Sequence, residues 1–435
     1  MNLSLAMIVK DEAHDLAGCL DSVKGLVDEM VVVDTGSTDG TVGIAEGYGA
    51  KVPRHAWTGD FAQARNVSLS HCTGDWILVL DADEMLDPRE HRAIRQAIQA
   101  QDAFGYRLSI RNYLNSGSLF GPGGSAKPND GDFQPAELCS HYIAQSGLRL
   151  FRNQNAPMYV GCIHESVEQW FEQHGQTAPE LNVTIHHFGK LDSKRDMAKQ
   201  PMYLALAKKE ALARPDDPIA HGNVLQEALM LEDWPTVLDA ARAYVKLKGA
   251  APPLVHLGAA KAYLATGRPE EALKELAPID VGAKPDPAVL DLKAQCLQAL
   301  GKVNDAVDTC LQAIEAAPGY TAPFIRLSKM LDANGDLENA RSVLEAGLDQ
   351  NTRDARLWEA LVGLSSKHRD ARVAQDAWHA IHAVPNGGTG IWHLIVAHVL
   401  RDQGDTEDAA NVLDMGLKAF PGNAEMLELK GRLAG

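Results

Sequence analysis

Gly267, Gly301 and Gly335 stand 34 residues apart, and Gly404 follows 69 residues later, two periods plus one. Five residues after each glycine comes an alanine: Ala272, Ala306, Ala340 and Ala409. Pro318 and Pro421 each fall 17 residues after a repeat glycine, and Pro385 lies near the same phase. The segments read ATGRPEEALKEL, ALGKVNDAVDTC, ANGDLENARSVL and DQGDTEDAANVL. A glycine permits a tight turn between two helices, an alanine lets the helices cross closely, and a proline ends the second helix. A two-helix unit of this size cannot bury its apolar face alone. A chain with this period must stack its units side by side.

These segments resemble tetratricopeptide repeats. The resemblance runs over roughly 196–435, is best between 254 and 435, and is weaker over 197–250. The copy near 367–385 is degenerate, with Arg369 at the turn position. A generic α-solenoid is the alternative. Arrays of this kind present an extended concave surface for protein or peptide contact.

The first ~195 residues follow a different pattern. Strands are expected at Leu3–Val9, Glu29–Val33, Ala50–Pro53 and Trp76–Leu80. Helices are expected at Asp15–Gly25, Thr38–Gly47 and Asp60–Ser70, the first with Leu16, Cys19, Leu20 and Val23 on one face. Strands alternating with helices imply a largely parallel sheet covered on both faces. Residues 115–135, NSGSLFGPGGSAKPNDGDFQP, read as a long loop, either an acceptor-side lid or an insertion without a role. Two domains are expected, 1–195 and 196–435.

Composition narrows the function. The chain has 435 residues, 45% hydrophobic and 23% charged, with a formal net charge of −17. That balance excludes nucleic acid or an anionic membrane as the main partner, because phosphate contacts need clustered Lys and Arg. No apolar run reaches the roughly 20 residues of a membrane span, and the N-terminus turns acidic too early for a signal peptide. Six cysteines without a CxxC pair read as free, mostly buried thiols of a cytoplasmic protein.

The chemistry is carried by Trp76-Ile-Leu-Val-Leu-Asp-Ala-Asp-Glu84. A short β-prone run delivers Asp81, Asp83 and Glu84 to the carboxyl end of a strand, where open α/β sheets bind ligands. Hard oxygen ligands there suit Mg²⁺ or Mn²⁺ together with a substrate diphosphate.

Four segments in order, MIVKDEAHDLAGCLDSV, DEMVVVDTGSTDGT, WTGDFAQARNVSL and GDWILVLDADE, resemble glycosyltransferase family 2. The likeness is to the subgroup of lipopolysaccharide-core transferases and bacterial peptide or flagellin glycosyltransferases. It covers nearly all of 1–195 and implies an α/β GT-A fold with a Rossmann-like mixed sheet. It also implies a UDP-sugar donor and inversion at the anomeric carbon. On this resemblance Ile8, Lys10 and Glu12 border the nucleotide, and Asp34 accepts from the uracil N3–H, with a turn aspartate as the structural alternative. Arg65 and Asn66 contact the donor, Arg65 pairing with Asp60 being the alternative. Asp81, with Ala82 at the donor, binds ribose, a metal-bound water or the metal itself, and Asp83 binds the metal. GLRLFRNQNAPMYVGCIHESV places Glu165 as the acidic general base, or else as a carboxylate paired with a nearby Arg; His164 would orient donor or acceptor. Asp132 or Glu137 is the fallback base. His187 of LNVTIHHFGK would be a metal ligand, tilting the metal towards Mn²⁺, with His186 on the opposite strand face. Thr35 replaces the second Asp of the family's usual Asp-Asp-Gly.

An aspartyl-phosphate enzyme would place its Asp-x-Asp near the chain start, and a nucleotidyltransferase would need a basic Gly-rich loop after the first strand. Neither pattern is present. The processive Gln-x-x-Arg-Trp segment is also missing, so single transfer is expected. The expected acceptor is a protein or peptide recruited by the repeats. A lipopolysaccharide or other envelope glycan is the runner-up, a non-catalytic repeat scaffold is the rival of another class, and self-association stays open.

Overall fold

The structure, a computed structural model, describes residues 1–115, 120–121, 124–137, 139–191, 193–279, 286–384 and 390–433. Pro385 lies outside them. The strands are β1 (Leu3–Val9), β2 (Glu29–Asp34), β3 (Trp76–Val79), β4 (Glu84–Leu86), β5 (Gly105–Leu114), β6 (Phe120–Gly121), β7 (Gly124–Ser125), β8 (Lys127–Pro128), β9 (His141–Arg152) and β10 (Glu180–His187). The main sheet runs β2-β1-β3-β9-β5-β10-β4, with β8 attached to β9. It is mixed: β1 is parallel to β2 and β3, whereas β9 runs antiparallel to β3 and β4 antiparallel to β10. The GT-A resemblance anticipated this, and the simple alternation of elements did not. Residues 50–53 are not a strand; only the isolated bridges Val31–Lys51 and Asp34–Arg54 form there.

Period-two alternation builds the core. Leu3, Leu5, Met7 and Val9 join Trp76 and Leu78 on one face, packed against Leu16 and Leu20 of α1 (Leu16–Ser22). Ala6, Val31, Val33, Ile77 and Val79 fill the other face with Leu69 and Phe151. With both faces covered, the central strands read as continuous apolar runs. The helices α2 (Thr41–Gly47), α3 (Phe61–His71), α4 (His91–Ala97) and α5 (Glu168–Gln173) complete this layer. Asp60 caps α3 by accepting from Gln63 N–H at 2.9 Å, which sets where that helix starts.

From Ser193 on, the only regular elements among the described residues are helices. They begin with α6 (Ser193–Ala213) and α7 (Pro218–Met230) and end at Leu433. The repeat glycines at 267, 301, 335 and 404 all take left-handed φ, between +74° and +92°. The alanines five residues on are fully buried. Arg369 keeps the left-handed turn (φ +53°) without glycine. Arg341, Ser365 and Asp376 form a buried network within the array, with Arg341 Nη2 donating to Asp376 Oδ1 at 2.7 Å.

The chain divides into two compact units. One holds Met1–Tyr113 and Ile143–Ile279, so the sheet and the first helices belong together. The other holds Leu114–Tyr142 and Asp280–Gly435. The segment expected to be a plain loop at 115–135 contains short strands, and β8 pairs with the start of β9. Within the second unit it is fastened to the repeats. Ser125 Oγ donates to Asp286 at 2.6 Å, and Asn351 Nδ2 donates to the carbonyl of Ser140 at 2.8 Å.

Candidate active site

The site grows from the end of β3. After Val79 the chain turns, and the turn is closed by Asp81 N–H donating to Glu84 Oε2 at 2.8 Å and Glu84 N–H donating to the Asp81 carbonyl at 3.1 Å. Glu84 is buried, and Ala82 packs into the core. Asp81 and Asp83 are left half-exposed at the sheet rim.

Arg65, on α3, reaches this rim. Its Nη2 donates to Asp81 Oδ1 and its Nε to Glu165 Oε1, the latter at 2.9 Å. The guanidinium is buried, and Nη1 has no hydrogen-bond partner among the described residues. Burial works against its charge, but Asp81 and Glu165 hold it firmly protonated. Arg149 of β9 forms a fork on Glu84 (2.9 and 3.2 Å) and stands 3.8 Å from Asp81. Against the cost of desolvation, Arg65 and Arg149 pull the Asp81 carboxyl well below the usual carboxylate range, whereas burial pushes Glu84 up. Tyr159 lies beside this cluster, and burial pushes its hydroxyl up to about 12.

Asp83 faces His187. In the β4–β10 ladder His187 pairs with Glu84, which sets its side chain opposite the rim, with Nε2 3.4 Å from Asp83 Oδ2. Asn112 Oδ1 lies 2.6 Å from His187 Nδ1, so it accepts there and leaves Nε2 directed at Asp83. Burial opposes a charge on either group, but their contact lowers Asp83 and raises His187. His186 points to the other face, where Nδ1 meets the Tyr113 hydroxyl at 2.8 Å. A Cβ at Gly189 would run into Asp83 Oδ2 and come within 2.9 Å of His187 Nε2. This cradle, an aspartate oxygen and an imidazole nitrogen in front of a bare Cα, fits a divalent cation that takes its remaining ligands from water and phosphate. Among the described residues no three His, Cys, Asp or Glu side chains converge into a closed metal site.

The remaining residues anticipated from sequence sit around this centre. Ile8 is half-buried in β1, beside Val33. Lys10 is exposed, and Glu12 stands 3.6 Å from Lys199. Asp34, buried at the end of β2, accepts from Ser37 N–H at 2.9 Å, so one of its oxygens serves the turn. The amide of Asn66 clamps the backbone of Met158 and Tyr159. Asp60 caps its helix and is not the partner of Arg65. The fallback bases Asp132 and Glu137 belong to the second unit. Sequence reasoning missed Arg149 and Asn112. The only hint of Arg149 was a charged residue inside the apolar strand GLRLFR.

Residues 4–160 match the profile of Glycosyl transferase family 2. The chain carries a family 2 glycosyltransferase domain. A later stretch, 253–278, matches a tetratricopeptide repeat. A TPR repeat-containing protein of Synechococcus elongatus is 35% identical over 193 residues, 43% of this chain and 42% of the relative. An uncharacterized glycosyltransferase of Rickettsia felis is 49% identical over 84 residues, 19% of this chain and 29% of the relative. The SPbeta prophage-derived glycosyltransferase SunS of Bacillus subtilis is 28% identical over 222 residues, 50% of this chain and 46% of the relative. The chain thus spans less than half the length of each of these curated relatives. No helix among the described residues is long and apolar enough to cross a membrane.

Proposed function

We propose that the chain is an inverting, metal-dependent glycosyltransferase that moves a hexose or N-acetylhexosamine from a UDP-sugar to a protein or peptide. The observation that carries this reading is the Arg65 guanidinium, held between Asp81 of the donor rim and Glu165 of a distant loop. It gathers a cation and two carboxylates where a diphosphate sugar would react.

Asp83 and His187 would hold a Mn²⁺ or Mg²⁺ ion, whose positive charge would stabilise the departing diphosphate. Arg65 Nη1, buried and without a hydrogen-bond partner among the described residues, offers a donor to the same leaving group. Asp34 and the half-buried Ile8 flank the nucleotide end, and Asp81 faces the ribose or the sugar. Glu165 takes the proton from the acceptor nucleophile as that atom attacks C1 from the side opposite the diphosphate. Arg65 fixes its orientation through the Nε–Oε1 hydrogen bond. Attack from that side inverts the anomeric carbon.

The repeats support a protein or peptide acceptor. Within the second unit a groove of about 600 Å³ is lined by Arg326, Lys329, Arg356 and Lys367 together with Asp332 and Glu359. Lys367 is paired with Asp332 and Arg326 with Asp291, each at 2.7 Å, so the groove carries mixed charge and its size suits an extended peptide segment. Calorimetric titration of UDP in Mn²⁺ and in chelator tests the donor half of the proposal. Metal-dependent binding, weakened at least tenfold by Asp83→Asn, supports it; absence of UDP binding in Mn²⁺ contradicts it.

A further inference from the structure

The loop that carries Glu165 is short and strained. Val160 and Ser166 close it with two backbone hydrogen bonds, both 3.0 Å. Between them Gly161 has φ +102° and His164 has φ +49°. A histidine in the left-handed region persists only where its surroundings over-determine it.

Those surroundings are helical. Ile163 is buried among Leu204, Leu206 and Ala207 of α6 and Val224 and Leu225 of α7. Glu210 of α6 accepts from Cys162 N–H at 3.3 Å. Glu227 of α7 lies with Oε1 2.7 Å from His164 Nε2, the strained residue next to Glu165. Glu227 is 3% exposed, and its other oxygen, Oε2, is buried without a hydrogen-bond partner among the described residues. A leucine would be cheaper to bury there. What the carboxylate adds is direction: it accepts from Nε2–H and pins the imidazole, and with it the backbone of the loop.

We propose that Glu227 is a positioning residue of the transferase, acting through His164 to hold Glu165 where it meets Arg65. The inference rests on the role of Glu165 proposed above. It makes the first helical hairpin part of the catalytic apparatus rather than a detachable recruiting module.

Glu227→Leu keeps the volume and removes the acceptor; Glu227→Gln keeps an acceptor oxygen. In the full chain, amide hydrogen exchange of residues 161–166 and UDP-sugar turnover are measured for both, beside melting temperature. The expected result for Glu227→Leu is exchange at least tenfold faster in 161–166 and kcat at least tenfold lower, with donor KM and melting temperature within error of the parent. Glu227→Gln should recover most of both losses. Unchanged exchange in Glu227→Leu would overturn the inference whether or not the parent turns over any donor. Faster exchange with undiminished kcat would overturn it equally. A parent inactive on every donor and acceptor that also fails to bind UDP, with exchange faster in Glu227→Leu, would refute the transferase reading, and with it the role of Glu227.

Discussion

Arg65 and Glu165 lie 100 residues apart in sequence and are joined by a single hydrogen bond, Nε to Oε1, at 2.9 Å. The same guanidinium holds Asp81, so one cation ties together two carboxylates from distant parts of the chain. Lysine cannot reproduce the fork. Arg65→Lys is expected to lower kcat by about 100-fold or more, the scale of losing one preorganised donor. It also leaves a buried carboxylate cluster undercompensated, and stability should fall by roughly 1–3 kcal/mol. Steady-state kinetics and denaturant unfolding of the variant check both.

Glu165 and Asp83 should fail in different ways. Glu165→Gln should keep metal-dependent UDP affinity within about threefold of the parent, while turnover drops by the 10²–10⁴ typical of a lost general base. Asp83→Asn should lose the affinity itself. Paired calorimetry and turnover assays separate the two. If Glu165→Gln turns over normally, the base lies elsewhere.

Asn112 should act through His187. Its carboxamide oxygen fixes which imidazole nitrogen faces Asp83. Asn112→Ala is expected to weaken Mn²⁺-dependent UDP binding by about 10- to 100-fold, the usual cost of an outer-sphere orienting partner. Unchanged affinity would remove His187 from the metal-binding set.

The acid limb of stability has an identifiable contributor. Glu29 is mostly buried, yet hydrogen bonds from Lys51, Ser4 and Thr73 outweigh that cost and hold its carboxyl at about 2 instead of 4.5. A depressed folded-state value stabilises the protein fully above the unfolded value, and the contribution fades as pH falls from about 4.5 to 2. Glu29→Gln should therefore cost on the order of 2 kcal/mol at neutral pH and progressively less below pH 4.5. Urea unfolding at a series of pH values measures the difference; a pH-independent difference would contradict the assignment.

In the array, a Cβ at Gly335 meets nothing within 4 Å, yet its φ is +81°. Gly335→Ala thus isolates backbone strain, and a loss of about 1 kcal/mol is expected, partly offset by the stiffer unfolded chain. A thermal melt reads the result.

What could be read from sequence was whatever is local. The short apolar runs at Leu3–Val9 and Trp76–Val79 announced buried strands, and the glycine period announced the helical hairpins. The left-handed turn at Arg369 was legible only because its neighbours in phase are glycines. Pairings between distant residues left no such trace. Arg149 reads as one charge in an apolar strand until Glu84 and Asp81 are brought beside it. Glu227 reads as an ordinary helix carboxylate until His164 meets it. The fastening of 114–142 to the repeats likewise depends on tertiary contacts of Ser125, Ser140 and His141.

The most direct test is UDP release by the purified chain from a panel of UDP-sugars, in Mn²⁺ and in chelator, beside Asp83→Asn, with peptide acceptors and envelope-glycan acceptors supplied in parallel. The account predicts release from one sugar that requires the metal, rises with an acceptor and vanishes in the variant. Release that survives both chelation and Asp83→Asn, or none with any sugar and acceptor alongside failure to bind UDP, would contradict it.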